Sequence, residues 1–100
     1  MKIDQVEAFH LRYEYPEDQR FQYAGGVCTA RLTTVVRLRT DTGLTGVGSA
    51  YSHPGLMALV IDGQLRDLLI GQDPADIEGL WDRMYGMTRW YGRKGAAVTA

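Results

Sequence analysis

Cysteine occurs once in these 100 residues and histidine twice, and no stretch carries an excess of one charge. The lone Cys28 has no intrachain disulfide partner, so a reducing, cytoplasmic setting is the simpler reading. Zinc asks for about four ligands and favours Cys and His. Cys28, His10 and His53 cannot supply them. Oxygen-type metal sites need several carboxylates at one point. Here Asp62 and Asp67 share a helix without a facing separation, and Asp73 and Asp76 are accounted for by helix capping, so neither a metal site nor a catalytic residue is assigned to this chain. Lys and Arg total 11 against 12 Asp and Glu, a net charge of −1. No basic stripe is present to pair with phosphates, and nucleic acid is excluded as a partner. Long apolar runs are missing too. Residues 56–70 are interrupted by Asp62, Gln64, Arg66 and Asp67, and Met1 to Leu11 contains Asp4, Glu7 and His10, so the sequence offers neither a membrane span nor a secretory leader.

What remains is a chain that can form one domain around a single core. Lys2 to Tyr13 is rich in strand formers, with Val6, Ala8 and His10 on one face and Ile3, Phe9 and Leu11 nominally opposite, which predicts a strand covered on both sides over part of its length. Glu14 to Gly26 breaks the pattern and is expected to be a polar loop carrying Tyr15, Phe21 and Tyr23, either as anchors onto its own domain or as a cover for a ligand. Strand chemistry returns at Arg31 to Thr40. Asp41-Thr42-Gly43 then reads as a hairpin turn into a partner strand, Leu44 to Ala50, whose Gly46 and Gly48 share a face and leave room for a closely packed neighbour.

His53-Pro54-Gly55 ends that strand, and Leu56 to Ile70 has a helical period weakened in its middle by Gly63. Gly71 is expected to close the helix in a left-handed cap. Asp73-Pro74-Ala75-Asp76 then supplies an N-cap, a proline in the first turn and an acid behind it. The next helix carries Ile77, Leu80, Trp81, Met84, Thr88 and Tyr91 in a stripe expected to be mostly core. Arg93-Lys94 reads as a solvated pair, and Gly95 to Ala100 begins a small-residue helical segment too short to stand alone.

Three arrangements suggest chemistry. Gly43-Leu44-Thr45-Gly46-Val47-Gly48 has the glycines of a phosphate loop but lies in a hairpin and its return strand, the wrong context. Cys28 with His53 would be a thiol pair, but no helix start lies at Cys28 to activate it. Tyr51-Ser52-His53 places a phenol, a hydroxyl and an imidazole in one turn behind a strand, where recognition groups commonly sit. The competing reading is an ordinary strand-to-helix connection.

The run from Val35 to Gly48, with Thr40-Asp41-Thr42-Gly43 followed by Gly46-Val47-Gly48, resembles the strand, turn and return strand of the N-terminal capping domain of the enolase superfamily, in its mandelate racemase and muconate lactonizing branch. Lys2 to Ala8 is similar to that family's first strand. Where relatives commonly carry Glu after the second glycine, this chain has Ser49. The resemblance implies an α+β fold, a three-stranded antiparallel meander followed by a helical segment, spanning residues 1–100. It ends at the junction to a modified (β/α) barrel not present in this chain. It also implies a magnesium-dependent enzyme that removes a proton next to a carboxylate, with metal ligands and bases on the barrel. Two capping loops map to Tyr15 through Arg31 and Ser49 through Gly55, and their hydrogen-bonding groups His53, Tyr51, Arg20 and Tyr23 are the candidate substrate contacts. A sugar acid is then the expected substrate and dehydration the expected outcome, with racemisation, cycloisomerisation or a stand-alone interaction module as alternatives. The partners implied are that carboxylate, the barrel and further copies of the chain.

Overall fold

A computed structural model of the chain describes residues 1–51, 53–92 and 95. The sheet is built from β1 (Ile3–Glu14), β4 (Ala30–Thr40) and β5 (Thr45–Ala50), antiparallel throughout and in the order β1-β4-β5. This is the expected meander. Between its first two strands the chain adds a feature absent from the sequence reading. Glu14 to Gly26 is not merely a polar loop, because β2 (Phe21–Tyr23) and β3 (Gly26–Cys28) pair into a separate two-stranded ribbon. Three-residue strands are too short to show an alternation, and the positive φ of Gly26 turns the chain between them.

A bulge resolves the conflict of apolar faces in β1. Ile3 stands opposite Thr40, yet Gln5 stands opposite Arg39, so one extra residue shifts the phase of the pleat. Ile3 and Val6, of opposite parity, are consequently both buried, whereas Phe9 and Leu11 lie exposed on the outer face. The expectation that the strand is covered on both sides is therefore corrected among the described residues. The hairpin forms as expected, with Gly43 at positive φ and Thr40 donating to and accepting from Leu44 across the turn. Asp41 ties the turn to the chain start, its N–H donating to the Lys2 carbonyl and its Oδ1 accepting from Lys2 N at 3.0 Å.

The helices cover the inner face of this sheet. α1 (Pro54–Val60), a π-helical turn (Ile61–Leu65) and α2 (Arg66–Leu69) form one continuous rod. Met57, Ile61, Leu65 and Leu69, each four residues apart, are its buried line. In an α-helix four residues overshoot a full turn by about 40°, so such a line drifts round the rod. The wider π turn takes up one step of that drift, and Gly63 sits within it. Gly71, at positive φ, ends the rod as expected, and Gly71 and Gln72 exchange backbone hydrogen bonds with Ile3 at 2.7 and 2.8 Å. Arg66 Nε adds a bond to the Val6 carbonyl at 2.9 Å, so the rod's end is sewn to the edge of β1.

α3 (Ile77–Thr88) begins three residues later than the sequence suggests. Asp73 caps a preceding turn by accepting from Ala75 N, and Asp76 is the true N-cap, accepting from Gly79 N at 3.2 Å. Its apolar stripe also divides. Leu80 and Thr88 are buried, but Ile77, Trp81 and Tyr91 are exposed, which corrects the expectation of a mostly buried stripe. Trp81 stacks instead on Tyr85, ring centroids 5.1 Å apart, along the side of the helix. Gly46 and Gly48 likewise meet no close neighbour, since a Cβ at either would find open space. Gly48 instead borders a cleft of about 310 Å³ between the sheet and the helices, whose walls are apolar apart from Ser49. The expected helical segment at 95–100 and the Arg93-Lys94 pair lie outside the described residues, Gly95 apart.

Candidate functional site

The polar end of the molecule is where the ribbon, the start of β4 and the turn after β5 converge. A cleft of about 500 Å³ opens there, lined by Phe21 and Tyr23 from β2, Cys28 from β3, Arg31 from β4, and Tyr51 and His53 from the turn. Among the described residues no carboxylate lines it, and Arg31 is the one formally charged wall group.

Behind the cleft an aromatic stack holds the ribbon to the sheet. Tyr15 meets Tyr13 and Phe21 edge-on, with centroids at 5.5 and 5.9 Å. Such edge-to-face packing sets positive ring edges against negative ring faces. The guanidinium of Arg31 is fixed against this stack, Nε donating to Tyr15 Oη at 3.3 Å while Cζ lies 5.4 Å from the centre of the Tyr51 ring. The hydrogen bond to Tyr15, followed by the electrostatic pull of the Tyr15 and Tyr51 phenols, raises the Arg31 pKa above its already high ordinary value. Its charge is thus permanent in the physiological range.

His53 is positioned by a different device. Its backbone remains extended, its side chain caps α1, and Nδ1 accepts from Gly55 N at 3.1 Å. An imidazole nitrogen that accepts a hydrogen bond carries no proton, which places the neutral ring's N–H on Nε2. Pro54 at the first helical position fixes the backbone beside it.

Among the described residues no three of His, Cys, Asp and Glu converge as a metal-holding group. Nor is any helix of the described residues long and apolar enough to cross a membrane.

Residues 7–100 match the family described as mandelate racemase / muconate lactonizing enzyme, N-terminal domain. The chain belongs to this family. It is 33% identical over 88 residues to an L-rhamnonate dehydratase of Saccharopolyspora erythraea, covering 87% of this chain and 22% of that protein. It is 37% identical over 101 residues to a 3,6-anhydro-alpha-L-galactonate cycloisomerase of Streptomyces coelicolor, covering 98% of this chain and 28% of that one. Its fold superposes with a TM-score of 0.83 on a magnesium-bound racemase from Streptomyces coelicolor, at 26% identity, covering 95% of this chain and 27% of the other. The chain therefore spans about a quarter of the length of these relatives.

Of the four candidate contacts on this mandelate racemase/muconate lactonizing domain, Tyr23, Tyr51 and His53 line the same cleft. Arg20 is not among its walls and turns Nε back to the Tyr15 carbonyl at 3.4 Å, at the ribbon's base. Ser52 lies outside the described residues. Cys28 reaches the same wall as His53, with Sγ directed to the Ala30 carbonyl at 3.5 Å. Arg31 is the group that sequence reasoning missed. It marks the end of the first capping loop, but its role depends on standing opposite Tyr13 in the β1–β4 register, beside a Tyr15 that no periodicity connects to it.

Proposed function

We propose that this chain is the capping and substrate-specificity domain of a magnesium-dependent enolase-superfamily enzyme that dehydrates a sugar acid after proton abstraction α to its carboxylate. The observation that carries this reading is the convergence of the two loop regions on one carboxylate-free cleft. Phenols from Tyr23 and Tyr51, the imidazole of His53 and the Arg31 guanidinium there offer hydrogen bonds to a polyhydroxylated molecule. Kinship with a dehydratase acting on L-rhamnonate supports the choice of substrate class. The described residues do not suit magnesium, because no set of acids converges. The metal and the proton-transferring bases would belong to a barrel domain continuing from this one. The role left to these residues is to close over the substrate's far end, orient it by hydrogen bonds and limit water access. A homo-oligomer in the cytoplasm completes the reading, the latter in keeping with the unpaired cysteine.

The test is to incubate the full-length protein with magnesium and a panel of aldonic acids in D2O. Formation of the 2-keto-3-deoxy acid with one solvent deuterium at C3, the C2 proton having been lost to solvent and the C3 hydroxyl as water, is the expected result. Kinship with a cycloisomerase supports a second outcome, in which the skeleton rearranges without loss of water. Intact substrates with no deuterium incorporated anywhere in the panel would overturn both.

A further inference from the structure

We propose that Arg31 is a specificity-determining anion anchor, and that the cleft it borders takes the far carboxylate of a dicarboxylic sugar acid in preference to the neutral hydroxymethyl end of a monoacid. The inference rests on reading this cleft as the end of the substrate site away from the metal. Three observations support it. Among the described residues Arg31 forms no ion pair with a carboxylate, a state it shares with Arg20, Arg39, Arg83 and Arg89 but not with Arg12, Arg37 and Arg66, and of the unpaired arginines it alone lines this cleft. The walls around it carry no acid, so nothing in the cleft neutralises the charge or repels an incoming anion. The guanidinium is also held from two sides, Nε donating to Tyr15 Oη and Cζ lying 5.4 Å from the centre of the Tyr51 ring. With Nε occupied, the edge formed by Nη1 and Nη2 is the remaining fork, and such a fork matches both oxygens of a carboxylate. An arginine already held by two aromatic partners loses little side-chain freedom on binding. Adjacent donors, the Tyr23 and Tyr51 hydroxyls and His53 Nε2–H, suit the hydroxyl next to that carboxylate. A neutral terminus would leave the Arg31 charge unpaired on closure.

The experiment measures calorimetric binding to the full-length protein of galactarate, galactonate and a 6-phosphorylated galactonate, with turnover recorded separately. Wild type is expected to favour galactarate over galactonate by about 10- to 100-fold, Arg31→Met to erase that preference, and Arg31→Lys to keep a fraction of it, because charge survives without the fork. Equal losses for both acids in Arg31→Met, with Arg31→Lys no better, would reduce Arg31 to a support for Tyr15 and Tyr51 and overturn the proposal. So would a wild type that does not discriminate between the two acids, or one that prefers the phosphorylated compound. An intact, Arg31-dependent preference alongside failure of every acid in the wider panel to react would sink the dehydratase reading and leave the anchor standing.

Discussion

His53 carries two duties through one ring. Nδ1 is committed to Gly55 N as a helix cap, and Nε2–H is left to meet a ligand. The duties separate by substitution, because Asn can cap a helix whereas Ala cannot. His53→Ala is expected to cost about 1 kcal/mol of stability through loss of the cap, and His53→Asn a few tenths. If Nε2 donates to a substrate hydroxyl, both variants should lose about 5- to 150-fold in kcat/KM, corresponding to about 1 to 3 kcal/mol of transition-state interaction. An analogue lacking the contacted hydroxyl should suffer far less. Denaturant unfolding read beside kcat/KM on the matched pair decides between the roles. Recovery of activity as well as stability in His53→Asn would leave the histidine as a cap alone.

At the scale of elements, two glycines eight residues apart in the helical rod have opposite meanings. Gly71 stands at φ 84°, where a Cβ meets no neighbour but the backbone itself disfavours an L-residue. Gly71→Ala should therefore destabilise by about 1 to 2 kcal/mol, and Gly71→Asn by less, because Asn tolerates the left-handed region. Gly63 has ordinary φ, an exposed position and open space around its missing Cβ. Gly63→Ala should stabilise by about 0.5 to 1 kcal/mol through chain entropy alone. Unfolding midpoints of opposite sign check the pair, and a loss on Gly63→Ala would mean that the π turn depends on glycine. The same contrast shows what was legible beforehand. Gly71, the Asp41-Thr42-Gly43 hairpin and the His53-Pro54 helix start were readable because each rests on local backbone chemistry. The bulge in β1 and the π turn were not, since each is decided by partners distant in sequence, Thr40 and Arg39 across from β1 and the sheet beneath Met57, Ile61, Leu65 and Leu69, while the ribbon is local, Phe21 facing Cys28, but its three-residue strands are too short to show an alternation. Tyr51 and His53 could be picked out because they share one turn, whereas Arg31 needed the register.

The whole molecule shows more surface than a chain of its mass should. Its accessible area is 6987 Å², where the scaling for a compact 11.2 kDa monomer gives about 5,700 Å². The radius of gyration, 15.8 Å, likewise exceeds the roughly 13 Å of a compact 100-residue domain. The surplus of about 1,300 Å² is more than the roughly 800 Å² that one partner of a standard specific interface buries. Its chemistry points the same way. Trp81 and Trp90 are 56% and 79% exposed, with Leu59 and Ile77 above 70%, and on the outer sheet face Phe9 and Leu11 lie open beside the Arg37–Glu7 pair. Among the described residues the core that must hold this together has eight buried apolar side chains, one of them the small Ala50. Single tryptophans at a surface are ordinary, but this many large exposed apolar side chains over so small a core are a liability for a free domain. The 100 residues expressed alone should therefore self-associate, eluting with light scattering above 11.2 kDa and unfolding over a broad, concentration-dependent range. Within the longer chain proposed above, hydrogen exchange at Trp81 and Trp90 should slow relative to the isolated domain as that surface is covered. A sharp, concentration-independent transition from a clean monomer would show that the domain is sufficient in itself, and would turn the reading back toward a stand-alone interaction module.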